Sequence, residues 1–117
     1  MSLNSRTVAL LFFLLLLSSC SVKQLGPTVL DGSVRFDFLA PKASRVAITG
    51  SFNRWDPQMN ALSGPDRKGV WTVTLQLPEG RYEYLFVVDG NKWLPDPGAL
   101  SVDDGLGGRN SVVEVGR

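Results

Sequence analysis

The chain has 117 residues and a mass of 12.8 kDa, with 12 Lys and Arg against 11 Asp and Glu, and no histidine. That length accommodates one domain, and a chain so close to neutral lacks the basic footprint that draws nucleic acid through its phosphates. Without histidine, the commonest general base and zinc ligand is missing, so histidine-based nucleophilic triads are excluded.

The N-terminus opens with a polar stretch carrying one cation, Arg6, and then runs through ten consecutive apolar residues, Val8 to Leu17. As a helix these would span roughly 15 Å, about half the hydrocarbon core of a bilayer. A short buried helix would show a polar face, and this run has none. The pattern predicts a signal peptide over residues 1–19. Leu17-Ser18-Ser19-Cys20 resembles the lipobox of bacterial lipoproteins, and Cys20 is the single cysteine of the chain. A lone thiol makes no internal disulfide. The resemblance implies lipidation of Cys20 (palmitate-type acylation), hence membrane attachment. Ser21 resembles the outer-membrane sorting default, so the expected location is the cell envelope, as an outer-membrane lipoprotein. Removing residues 1–19 takes away Arg6 alone and leaves 98 residues with 11 positive and 11 negative groups.

Residues 20–32 have no clear period and contain Gly26-Pro27; they read as the lipidated cysteine and a tether. From residue 33 onward period-two alternation dominates. Val34, Phe36 and Phe38 take every other place, as do Val46 and Ile48. Trp71, Val73, Leu75 and Leu77 share a face, and so do Tyr82, Tyr84, Phe86 and Val88. Asp89-Gly90 is a hairpin signal, because both residues accept positive φ. Lys92-Trp93-Leu94 begins the return strand, stopped by Pro95 and Pro97, and Ser111 to Val115 closes the domain. The glycine-rich segment 96–109 reads as a loop that is mobile unless a ligand or a neighbouring strand pins it. No window carries a sustained helical period, and 12 Gly and 7 Pro punctuate the chain. This predicts an all-β domain over 33–117, an antiparallel β-sandwich of about seven strands.

Candidate chemistry is sparse. Of the acids Asp56, Asp66, Glu79, Glu83, Asp96, Asp103 and Asp104, most fall in turns or on wet strand faces, as solvated charges do. Asp103-Asp104-Gly105 lacks the alternating oxygen ligands of a calcium loop, and Gly105, Gly107 and Gly108 open no helix, so they are not a phosphate loop. The expectation is no catalytic residue, no metal and no cofactor. Tryptophan is more informative. Trp71 lies in phase with the apolar face and reads as core. Trp55 and Trp93 lie in or beside turns, where an indole either folds back onto the sandwich or meets a ligand. Two open indoles would suit a pyranose, whose C–H face lies on the ring while its hydroxyls need polar partners.

The ordered set Gly50-Ser51-Phe52-Asn53-Arg54-Trp55, Leu77-Pro78-Glu79-Gly80, Tyr84, Val88-Asp89-Gly90, Trp93, Asp96-Pro97 and Asn110 resembles the glycogen-binding domain of the AMP-activated protein kinase β subunit. It is similar also to the N-terminal modules of isoamylases, pullulanases and branching enzymes. The resemblance implies an immunoglobulin-like (early-set) sandwich that binds α-1,4-glucan. Its stacking tryptophans fall on Trp55 and Trp93, its ring-piercing leucine on Leu106, and its hydroxyl-bonding asparagine on Asn110. Three departures stand out: the family's sugar-bonding lysine is Leu85, the threonine of its loop is Gly108, and the hairpin before Trp93 is one residue longer. Lys92 is a candidate substitute for the missing cation. The expected function is a membrane-anchored, non-catalytic α-glucan-binding module. The alternatives are an envelope protein–protein interaction module and an accessory subunit of a separate glycoside-active enzyme.

Overall fold

The computed structural model describes residues 25–116; the signal-peptide reading and Cys20 lie outside the described residues. Eight strands make up the fold: β1 (Thr28–Leu30), β2 (Ser33–Leu39), β3 (Val46–Gly50), β4 (Val70–Gln76), β5 (Gly80–Val88), β6 (Lys92–Leu94), β7 (Leu100–Asp103) and β8 (Arg109–Val115). They form two antiparallel sheets. One has the order β1-β2-β4; the other has the order β3-β5-β8-β7, with β6 also pairing β5. The domain is an all-β sandwich, as the alternation predicts.

Alternation decides what each strand buries. From the three-stranded sheet come Val34, Phe36 and Phe38 of β2 and Trp71 of β4. The five-stranded sheet answers with Val46 and Ile48, with Tyr84, Phe86 and Val88, and with Val113 and Val115. Aromatic rings interlock across the gap: Phe38 and Phe86 have centroids 4.4 Å apart, and Phe36 meets Tyr84 edge-on at 4.9 Å. Trp71 is core, as expected, and its Nε1 donates to the Ala40 carbonyl at 2.9 Å. An indole N–H buried without an acceptor would give back part of what the packing of its ring gains.

The structure corrects two expectations and decides a third. The tether reading ends too late: Thr28–Leu30 form an edge strand on β2, turning back through Asp31-Gly32, with Gly32 at φ 78°. Three residues are too few to display a period. For the glycine-rich segment 96–109 the pinned outcome holds: it contains β7, paired with β8 from Leu100↔Val112 to Asp103↔Arg109. Asp96 is not a solvated acid. It is 2% exposed, accepts the Tyr84 hydroxyl at 2.7 Å and the Gly98 N–H at 2.9 Å, and its own N–H donates to Ser111 Oγ. This network fastens the turn after β6 to the core.

Candidate glucan-binding face

The outward surface of the five-stranded sheet follows from register. On β5, Tyr84, Phe86 and Val88 point inward, so Glu83, Leu85 and Val87 point out. Val87 pairs with Ala47 of β3 and with Trp93 of β6, and directly paired residues share a face. Trp93 therefore stands on the outer face, 44% exposed. Of the two fates open to that indole, folding back is not the one adopted. The same alternation sends Lys92, paired with Val88, to the opposite face. Lys92 is thus not a cation beside Trp93.

Asn110 begins the return along β5 from the other end. Ser111 pairs with Tyr84, so Asn110 comes next, level with Leu85 and about 7 Å along the strand from the register of Trp93. Its Nδ2 donates to Glu83 Oε1 at 3.1 Å. Arg81 Nη1 lies 3.3 Å from Glu83 Oε2, completing an Arg81–Glu83–Asn110 chain on the outer face. Ala47, Thr49 and Val87 on this face are buried, and the Thr49 hydroxyl has no hydrogen-bond partner among the described residues.

Trp55 belongs to the loop leaving β3. Asn53, 4% exposed, organises that loop: its Oδ1 accepts the Gly50 N–H, and its Nδ2 donates to the Ile48 carbonyl and to Asn60 Oδ1. Arg54 and Trp55 both adopt φ 59°, a left-handed conformation that costs a non-glycine residue on the order of 1–2 kcal/mol. The strain is tolerated because the Trp55 N–H is tied to the Gly50 carbonyl at 2.9 Å. Gly50 itself must be glycine, since a Cβ there would fall 2.5 Å from the Glu83 carbonyl oxygen and 2.8 Å from the Phe52 ring. Trp55 is half-buried. Its anchor at Gly50 lies two strands and three residues from Trp93, so the two backbones are about 14 Å apart.

Leu106, 91% exposed, tips the turn between β7 and β8, four residues before Asn110. The Asp104 carboxylate braces this turn, with Oδ1 accepting the N–H groups of Leu106 (2.7 Å) and Gly108 (3.0 Å). These backbone bonds hold the Asp104 carboxyl below the ordinary aspartate range. Gly108 lies against this brace: a Cβ there would come within 2.7 Å of Asp104 Oδ2. Asp103 caps the Gly105 N–H in the same way. Among the described residues, no group of three or more His, Cys, Asp or Glu could hold a metal ion, and no helix is long and apolar enough to cross a membrane.

Two of the four candidates thus flank Leu85, Trp93 beyond it on β6 and Asn110 level with it on β8, while the Trp55 loop leaves β3 toward the Gly80 end of β5 and the Leu106 turn lies toward its Val88 end. Residues 33–117 match the family described as the glycogen recognition site of AMP-activated protein kinase. The chain belongs to this family. The matched unit is a recognition domain rather than a catalytic one. The chain is 36% identical over 70 residues to the human 5'-AMP-activated protein kinase subunit beta-2, covering 60% of this chain and 24% of that protein. It is 37% identical over 91 residues to the 1,4-alpha-glucan branching enzyme of Pseudomonas syringae pv. syringae, covering 73% of this chain and 12% of the enzyme. A branching enzyme of Paraburkholderia xenovorans is 32% identical over 96 residues. The chain therefore spans a quarter or less of the length of these relatives. Glu83 and Asp104 escaped the sequence reading as parts of the site, because each looks like a solvated acid until register gives it a partner.

Proposed function

We propose that this glycogen recognition domain is a non-catalytic module that binds an α-1,4-linked glucan on the outer face of the five-stranded sheet, held at a membrane through acylated Cys20. The observation that carries the glucan reading is the open Trp93 indole on the same face as Asn110, one sugar-sized step away. In this reading the apolar face of a pyranose stacks on Trp93, with Trp55 taking a second unit. The Asn110 amide bonds hydroxyls and Leu106 closes over the chain. Stacking of bases on aromatics, a related contact, is worth about 1–3 kcal/mol per ring. Two rings then give affinities of roughly micromolar to millimolar. Such a module works on a polymer, where many equivalent sites raise the effective concentration.

The test is retention of the full-length chain, in mild detergent, on immobilised glycogen or amylose. The parent protein is retained, Trp93→Ala loses at least tenfold in affinity, and Trp55→Ala loses a comparable amount, with circular dichroism unchanged. A parent protein that passes through unretained overturns the reading. The anchor rests on the sequence pattern Leu17 to Cys20, with an outer-membrane location as its corollary, and is checked by mass spectrometry of the mature N-terminus. An unmodified Cys20, or cleavage elsewhere, removes it. One observation favours a second reading, a protein-docking face: Leu85 stands where the family's lysine would be, and Leu100 and Leu106 are 82% and 91% exposed. The partner would then include an enzyme that this module accompanies.

A further inference from the structure

We propose that Glu83 is a positioning residue for glucan recognition, fixing the Asn110 carboxamide and joining it to the Trp55 loop; this rests on the glucan-binding reading above. A side-chain amide has two N–H donors and one carbonyl acceptor, and rotation by half a turn exchanges them. Glu83 Oε1, 3.1 Å from Asn110 Nδ2, takes one donor and holds the amide in one orientation. The oxygen Oδ1 and the second N–H are left for hydroxyls. The carboxylate is itself oriented, because Arg81 Nη1 holds Oε2 at 3.3 Å. The main chain of Glu83 makes the other connection: its N–H donates to Ser51 Oγ at 3.2 Å, and its carbonyl accepts the Ser51 N–H at 2.9 Å. Ser51 opens the loop that carries Trp55. One residue on β5 is therefore bonded to both halves of the face.

Two considerations make this a matter of recognition rather than of folding. The Arg81 and Glu83 side chains are 49% and 33% exposed, and ion pairs so open to water contribute little to stability. Leu85 offers no hydrogen bond to a sugar, so the polar part of recognition falls heavily on Asn110. Orientation of that one amide then matters more than it would beside a lysine.

The experiment measures glycogen affinity of the full-length chain in mild detergent for Glu83→Ala, Glu83→Gln, Asn110→Ala and the double variant Glu83→Ala/Asn110→Ala. Glu83→Ala is expected to weaken binding about tenfold, the value of one well-placed hydrogen bond. Glu83→Gln keeps an oxygen that accepts Asn110 Nδ2 and stays within about threefold of the parent. In the Asn110→Ala background, Glu83→Ala adds nothing, which a general loosening of β5 would not reproduce. Glu83→Thr, a strong β-former too short to reach Asn110, replaces the alanine variant if that one fails to fold. Parental affinity in Glu83→Ala, or equal loss in the alanine and glutamine variants, overturns the role of Glu83 while leaving glucan binding intact. A parent chain that glycogen does not retain overturns both.

Discussion

The two faces of β5 are made by one run of nine residues and meet different demands. The inner face, Tyr84, Phe86 and Val88, is sealed by the opposite sheet, so that large losses of volume there are costly. The outer face, at Arg81, Glu83 and Leu85, is half open, and its polar side chains Arg81 and Glu83 are held by hydrogen bonds rather than by packing. Shape is therefore determined on one side of the strand and chemistry is offered on the other. Substitutions should separate accordingly into those that unfold the domain and those that silence it. The sharpest contrast is Phe86→Ala against Trp93→Ala. Phe86 is fully buried against Phe38 and Tyr84, and its truncation is expected to cost about 3–5 kcal/mol in urea denaturation. Trp93→Ala, on the open face, should cost under about 1 kcal/mol while abolishing retention on glycogen. A Trp93→Ala variant as unstable as Phe86→Ala would erase the distinction between the faces.

Asn53 stands between these extremes. It is buried like a core residue, yet its work is to satisfy backbone groups and an amide in the loop that carries Trp55. Asn53→Ala leaves the Gly50 N–H and the Ile48 carbonyl without those partners, at an expected cost of about 1–3 kcal/mol. The Gly50 carbonyl that ties the left-handed backbone at Trp55 is then held less firmly, because the Asn53 side chain no longer fixes Gly50. The variant should therefore lose both stability and glycogen affinity, measured as a lower urea midpoint and weaker retention. Loss of one without the other would show that the loop is braced elsewhere.

How much of this was legible in the sequence follows the same division. The inner face was readable because burial imposes a period of two: Val34 to Phe38, Trp71 to Leu77 and Tyr82 to Val88 announce their strands. The glycines and Asp89-Gly90 announce the turns, and Asp89 and Gly90 do take positive φ, at 51° and 78°. β1 escaped because its three residues belong to an edge and are stabilised by pairing rather than by burial. β7 was hidden by its glycine-rich surroundings. The open face was legible only residue by residue. Trp93 and Asn110 were identifiable as types, but the bond between Asn110 and Glu83 spans 27 positions and depends on the register of β5 with β8. Lys92 illustrates the converse: its neighbour in sequence is Trp93, and the pleat puts the two on opposite sides.

Asp96 tests whether a polar group can live on the sealed side. Burial raises its carboxyl above the ordinary value of 3.8, opposed by hydrogen bonds from the Tyr84 hydroxyl and the Gly98 N–H. Burial likewise raises the Tyr84 hydroxyl, with the Asp96 charge beside it adding to the effect, so Tyr84 stays the donor at any working pH. A folded-state pKa above the unfolded one means that the folded protein holds the proton more tightly. The stabilisation from protonated Asp96 is thus fully present below pH 3.8 and is lost as pH rises through the elevated folded value. Asp104, whose pKa is lowered by the Leu106 and Gly108 N–H groups, behaves oppositely: its contribution is present above 3.8 and lost as pH falls through its depressed value. Asp96→Asn replaces the titrating group by a neutral one of the same shape. Relative to this variant, the parent should be most stable at low pH, and its Tm advantage should shrink steadily toward neutrality. A Tm difference that does not change with pH would mean that Asp96 ionises in the folded domain as freely as in water.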